Sequence, residues 1–374
     1  MRPRTGITAI LSMALALTAC GGGSTSAGPG AGAAAKNNPA AAAAAKKLEP
    51  YAAERSAISL TPLPQAPPRG KTVSFISCPL PTCQQYLDAM NQAGAKIGWT
   101  VKVYDGGLTP DTQASAWRSV AQNPGDGVVA VPTIPNSALT DQLATLNSKG
   151  IPVVELGGPS TPSAPVIGHY NNAKQSTVQG QIWADWITAD SGAGAKVVYY
   201  TDTSFESLLP YTESFKKELS SACPQCSVDV QTTNYSTGVG KSIPQQIVSY
   251  LQRTPDAKYV LINVGDASVG VPQALAAAGL RDKVKLVTGS SSVANVKAVS
   301  DGSQAMAVVG ERYEFGWRAF DLIIRHLEGA PIADPEPVGS LHVITKDNLP
   351  KNLDVPYSVP GYQDGFLQAW HVTP

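Results

Sequence analysis

Five cysteines carry most of the reactive chemistry available to this 374-residue sequence. Four of them fall in two local pairs, Cys78/Cys83 and Cys223/Cys226. Thiols spaced this closely can close a disulfide, form a dithiol redox centre or supply part of a metal site. The four histidines are scattered and none stands beside either pair, so a zinc site would lack its nitrogen ligands. Cys223-Pro224-Gln225-Cys226 has redox spacing, but it lies between an amphipathic helical stretch and a strand-like run, Val228–Gln231. A redox C-x-x-C normally opens a helix after the first strand of its unit. Gly289-Ser290-Ser291-Ser292 is a serine-rich loop after a strand, with no histidine to activate it. No Gly-x-Ser-x-Gly elbow, HExxH or phosphate-binding glycine loop occurs. The sequence therefore carries no expectation of an enzyme, a metal or a cofactor.

The fifth cysteine, Cys20, stands apart in Leu17-Thr18-Ala19-Cys20-Gly21, after Arg2, Arg4 and the apolar run Ile7–Leu17. That run is too short to span a bilayer, which takes about 20 apolar residues, and has the length of a signal-peptide core. The order of charge, apolar core, small residues and cysteine resembles a bacterial lipoprotein signal peptide. The resemblance implies removal of residues 1–19, lipidation of Cys20, and a membrane-anchored protein on the extracytoplasmic face. Four cysteines then remain in an oxidising compartment, and both local pairs, Cys78/Cys83 and Cys223/Cys226, are expected to be disulfides. Loops this small gain only about 2 kcal/mol each.

Charge excludes other partners. The 28 basic and 28 acidic side chains balance, and no polybasic run or basic–aromatic interleaving is present, so nucleic acid is not expected. With 43% hydrophobic and 15% charged residues the body is globular. Residues 20–70 are rich in Gly, Ser, Ala and Pro and read as a flexible tether of roughly 40 Å, with Ala40–Lys47 transiently helical and Pro50 ending it.

Beyond Lys71 short β-rich runs recur at Val73–Ser77, Thr100–Tyr104, Gly127–Val131 and Pro152–Leu156. Helical faces lie between them, such as Tyr86/Leu87/Met90/Ile97 and Leu139/Leu143/Leu146. The strand starts are about 25–28 residues apart, the size of a βα unit. The pattern restarts with Lys196–Tyr200, Val228–Gln231, Tyr259–Asn263, Lys285–Thr288 and Met306–Val309, separated by helices near Tyr211–Leu219, Ile243–Leu251, Val271–Ala278 and Phe315–Leu327. Runs apolar throughout suit strands covered on both faces. The expected fold is α/β, two doubly wound Rossmann-like lobes in series.

Several segments in this order are similar to the type I periplasmic binding proteins, most closely the ribose-type sugar binders: Lys71-Thr72-Val73-Ser74-Phe75-Ile76, Ala95-Lys96-Ile97-Gly98-Trp99, Gly127-Val128-Val129-Ala130-Val131-Pro132, Ile151-Pro152-Val153-Val154, Thr254-Pro255-Asp256-Ala257 and Gly302. The resemblance covers about 71–343. It implies lobes joined by a hinge, the first of 71–171 plus 311–338 and the second of 172–310 plus 339–374. It also implies a small-molecule ligand in the cleft, an ABC permease and ATPase as partners, and a monomer. A cytosolic repressor of the same fold is set aside, because the chain has a signal peptide and no DNA-binding headpiece.

Open α/β sheets bind ligands beyond the carboxyl ends of their strands. That rule and the resemblance nominate the same segments, and within them Thr82, Gln84, Tyr86, Asp105, Gly157, Gly158, Phe205, Tyr235, Asp266, Ser290, Glu311 and Tyr313. Asp266 serves equally as a helix cap, and Glu311 and Tyr313 equally as hinge packing. The Cys78/Cys83 loop is either a preorganised ligand loop or a staple. Groups by which the sugar binders grip hydroxyls are missing: Pro79-Leu80-Pro81 follows the first strand, Gly157-Gly158 the fourth, and Leu209 and Ser290 stand where Arg and Asp are expected. The ligand is therefore expected to be other than a simple pentose or hexose, with an apolar or aromatic part against Tyr235, Phe205 and Tyr86, and a cationic or hydroxyl group paired with Asp266 or Glu311. A sensing role, signalling to a membrane receptor in place of a permease, is the alternative.

Overall fold

The computed structural model describes residues 38–53, 58, 60–158, 162–334, 337–355 and 357–373. Residues 1–19 and Cys20, with the expected signal and lipidation site, lie outside them.

Two sheets form from the nine predicted runs, each joined by one strand that no run announced, Val166–Tyr170 in the first and Leu341–Ile344 in the second. The first comprises β1 (Thr72–Ser77), β2 (Thr100–Asp105), β3 (Gly127–Ala130), β4 (Val153–Leu156) and β5 (Val166–Tyr170), all parallel, in the order β2-β1-β3-β4-β5. The second comprises β6 (Lys196–Thr201), β7 (Ser227–Thr232), β8 (Tyr259–Ile262), β9 (Lys285–Thr288), β10 (Met306–Gly310) and β11 (Leu341–Ile344), in the order β11-β10-β9-β8-β6-β7. Only β11 among these strands is antiparallel to its neighbour. The interior strands β3, β4 and β8 are buried at every position, as their apolar runs, broken only by Glu155 in β4, require, while edge strand β2 is largely exposed. Each sheet reverses its order beside its first strand, β1 or β6, which sets the crevice where such folds bind ligands.

Helices cover both faces of each sheet. Phe75, Tyr86, Met90, Trp317 and Phe320 pack on one face of the first sheet, and Ile76, Trp117 and Leu139 on the other. Trp183, Tyr199, Phe215 and Val308 fill one face of the second sheet, and Ile243, Val260 and Leu275 the other. The chain crosses between lobes repeatedly. Helix Arg312–Leu327 follows β10 of the second sheet yet packs in the first lobe on helix Pro81–Ile97, where Gly316 leaves room for Ala89. The chain then returns to the second sheet as β11.

Two terminal segments depart from expectation. The C-terminal stretch, expected in the second lobe as part of 339–374, places Val359, Tyr362, Phe366 and Trp370 in the first lobe's core. Trp370 stacks on Trp317 with ring centroids 5.5 Å apart, and its Nε1–H donates to Asp321 at 2.8 Å. Burial of two large aromatic side chains decides where this segment lies. At the other end, part of the tether expected over 20–70 is a helix, Pro39–Ala52, capped by the Asn38 side chain. Ala41, Ala44, Ala45 and Leu48 recur at helical spacing and are buried, against helix Ala173–Ser191 and the second-lobe core. Lys47 bridges Asp185 and Glu218. Leu63 is buried in the first-lobe core, and Trp99 Nε1–H donates to the Pro68 carbonyl. The low-complexity composition concealed an apolar stripe whose small residues allow close helix–helix approach.

Both cysteine pairs lie at disulfide distance, with Cα atoms 5.5 Å apart for Cys78–Cys83 and 5.3 Å for Cys223–Cys226. The second pair ends helix Leu209–Ala222 before β7, remote from the crevice.

Within the apolar β4 stands one carboxylate, Glu155, fully buried and beside buried His169 of β5 in the sheet register. Burial pushes the Glu155 carboxyl up from 4.5 to about 7. The native state therefore holds this proton more tightly than the unfolded chain. The resulting stability is complete below pH 4.5 and lost as pH rises through 7. Urea unfolding midpoints should fall between pH 5 and pH 8, by the equivalent of roughly 3 kcal/mol from this group. Glu155→Gln should remove most of that fall.

Candidate ligand cleft

The carboxyl ends of the two sheets face each other across a cavity of about 140 Å³. Every wall segment follows a strand. From the first lobe come Leu80 and Thr82 after β1, Leu108 after β2, Val131–Thr133 after β3, Gly157 and Gly158 after β4, and Asn171 after β5. From the second come Phe205, Leu208 and Tyr211 after β6, Tyr235 after β7, Val264 after β8, Ser290 after β9 and Arg312 after β10.

The Cys78–Cys83 disulfide closes the loop that carries Leu80 and Thr82 into the cleft, and Pro81 opens the following helix in its first turn. Gly157 and Gly158 hold φ of 110° and 107°, a region that side chains strongly disfavour, and a Cβ on Gly158 would stand 2.6 Å from Pro132. Asn171 and Ser290 also hold positive φ, 52° and 44°, and both line the cavity. Strained backbone at two facing wall positions is the kind that concentrates at ligand sites.

On the second-lobe side Tyr211 stacks on buried Trp183, centroids 5.5 Å apart, which fixes the cavity floor. The Tyr235 hydroxyl donates to Asn263 Oδ1 at 2.6 Å and lies 3.2 Å from the Tyr200 carbonyl, and its own N–H donates to Asp202 at 2.7 Å. The phenol is thus already satisfied, and burial raises its pKa far above the ordinary 10.0. Its ring, not its hydroxyl, is the surface available to a ligand.

The lobes meet across this cleft. Asp266 Oδ2 accepts from Thr82 Oγ1 at 2.8 Å and from Thr82 N–H at 3.3 Å, and Ser236 Oγ donates to the Leu108 carbonyl at 3.3 Å. The first contact has a local cause. Leu80, the N-cap of helix Pro81–Ile97, offers no side-chain acceptor, so an exposed N–H of the first turn takes one from the other lobe.

Of the residues nominated from sequence, Thr82, Gly157, Gly158, Phe205, Tyr235 and Ser290 line the cavity. The others lie elsewhere. Gln84 is two residues beyond Thr82, across the helix, and donates to Asp88 in solvent. Asp105, exposed at the end of an edge strand, accepts from Gly107 N–H in its own loop. Tyr86 is on the Thr82 face but one turn deeper, in the first-lobe core. Asp266 is engaged by Thr82, Glu311 is fully buried off the cavity, and Tyr313 packs on the first-lobe core near Asp88. The expected acidic partners for a ligand are therefore absent from the cavity wall. Among the described residues its charged member is a cation, Arg312, which stands between the expected residues Glu311 and Tyr313. Asn171, Tyr211 and the leucines were missed because they read as ordinary strand-end and helix residues.

Residues 80–331 match the family of the periplasmic binding protein domain, more than half of the chain, and the protein belongs to that family. Its fold is that of the type I members. A solute-binding protein of Agrobacterium vitis, solved with alpha-D-tagatopyranose, is 19% identical over 75% of this chain and 97% of that chain, with a TM-score of 0.65. The arabinose transporter's binding component from Shewanella sp. ANA-3 is 16% identical over 81% and 99%, with a TM-score of 0.67. The fructose-binding periplasmic domain of a hybrid two-component system is 16% identical over 74% and 91%, with a TM-score of 0.63. These are binding proteins, not enzymes, and at such identities the likeness is one of fold. No curated protein matches the sequence.

Asp266→Ala removes the acceptor that the first lobe's helix lacks. The open fraction should rise roughly tenfold, the equivalent of one charge-assisted hydrogen bond. Distances between spin labels on the two lobes would measure it; an unchanged distribution would make Asp266 a bystander.

Proposed function

We propose that the protein is the extracytoplasmic solute-binding lipoprotein of an ABC importer, trapping a small molecule between its lobes by hinge closure and presenting it to a permease with its ATPase. Cys20 is the anchor in this reading; among the described residues no helix is long and apolar enough to cross a membrane. Cys20→Ala should release the protein from the membrane fraction and abolish labelling by radioactive palmitate.

The cargo is a solute other than a simple pentose or hexose. The observation that carries this is the character of the wall. Leu80, Leu108, Val131, Leu156, Leu208 and Val264 dominate it, the Tyr235 hydroxyl and Thr82 hydroxyl are committed to protein partners, and no carboxylate lines it among the described residues. A sugar buried here would find a few polar partners, such as Arg312, Asn171, Thr133 and Ser207, and would press its other hydroxyls on apolar wall at about 1–3 kcal/mol for each left unpaired. Calorimetric titration with ribose, arabinose, glucose and fructose should show no binding at micromolar concentrations; micromolar binding of any of them defeats the reading.

A sensing role is the second reading, favoured by one fold relative that is the periplasmic domain of a two-component system. Deleting the gene separates the two. Lost uptake of the cargo marks an importer, and lost transcriptional response with intact uptake marks a sensor.

A further inference from the structure

Arg312 is only 6% exposed and lines the cleft cavity. Its guanidinium donates to the Ser291 carbonyl at 2.6 Å and to the Ser290 carbonyl beside it. Ser290 holds positive φ, so the strained loop after β9 aims its carbonyls at the arginine and fixes its plane. The buried Tyr86 hydroxyl stands next to it from the first-lobe core. These partners are neutral dipoles. They satisfy N–H groups without cancelling the charge, and among the described residues no carboxylate is in ion-pair reach of Arg312. The neighbouring acids make no ion pair with it: Glu314 pairs with Arg318, Asp321 with Arg325, Asp266 accepts from Thr82, and Glu311, next in sequence, is fully buried with neither carboxyl oxygen hydrogen-bonded. A buried guanidinium without a counter-charge is costly, and it is the group best shaped to take a carboxylate by two parallel bonds.

The rest of the wall limits the remainder of the ligand. A void of about 150 Å³ holds a benzene-sized body, and this cavity is about 140 Å³ with leucine, valine, proline and aromatic walls. We infer that the cleft binds a small apolar monocarboxylate, of the size of a single ring or a short branched chain. Its carboxylate pairs with Arg312, and its body packs between Leu80 and Leu108 of one lobe and Phe205, Leu208 and Tyr235 of the other. The inference rests on the cleft being the cargo site and names the cargo's class. It also reverses the sign of the charge that the acidic residues of the sequence suggested.

The test pairs acids with neutral isosteres on the wild-type protein: benzoate with benzamide, phenylacetate with phenylacetamide, and 4-methylpentanoate with 4-methylpentanamide. Calorimetry reads affinity, and spin labels on the two lobes read closure. At least one acid should bind and close the lobes, roughly tenfold or more tighter than its amide. Arg312→Gln should erase that preference and Arg312→Lys should retain part of it, with thermal unfolding confirming that each variant folds. The wild-type acid-to-amide ratio stands even if a variant does not fold. Amides binding as tightly as acids, or none of the acids binding, overturns the inference. Closure by an amide or a sugar would leave the cleft as cargo site and remove only the anion. A solute that binds without closing the lobes would remove the cleft reading itself.

Discussion

In the first turn of helix Pro81–Ile97 the Leu80 carbonyl takes the Cys83 and Gln84 N–H groups, and the Thr82 N–H and hydroxyl find their acceptor in Asp266 of the other lobe. Most of the molecule is arranged around that shared contact. It lies where the carboxyl ends of two parallel sheets face each other, so it can form only when the lobes approach. The same approach encloses the apolar wall residues and buries Arg312. Hydrogen bonds to Asp266 and removal of apolar surface from water thus act in the same direction.

The lobes are individually rigid because their cores are aromatic and closely packed. Trp317 with Trp370 and Phe366 anchors the first, and Trp183 with Tyr199, Tyr211 and Phe215 anchors the second. The outlying helices are distributed between them: Pro39–Ala52 lies on the second lobe and Tyr362–Ala369 on the first. Residues from Leu63 to Pro68 return the N-terminal segment to the first lobe.

Much of the fold was legible in sequence because its signals are local. Buried parallel strands must be apolar along their whole length, and helices between them must show a face every three or four residues; Val128, Val129, Val153 and Val154, or Tyr86 and Met90, announce themselves. Strand β11 did not, since four residues pairing antiparallel at an edge carry no period of their own. The helix Pro39–Ala52 did not, because an alanine stripe has the composition of a linker until a partner surface is known. The site was half legible. The rule that ligands sit beyond strand ends located Thr82, Gly157, Gly158, Phe205, Tyr235 and Ser290, but it cannot tell which of several neighbouring side chains faces inward.

Residue type and order alone determined the two-lobe α/β class and the cysteine pairing by proximity. These follow from short-range chemistry, periodicity and covalent distance. The electrostatics of the cleft were decided by tertiary structure. Glu311, Arg312 and Tyr313 are consecutive, and the turn from β10 into its helix selects which of the three lines the cavity. Asp266 looked available until the first turn of a helix in the other lobe claimed it. Charge at a site between lobes is set by partners distant in sequence, and only the folded chain brings those partners together.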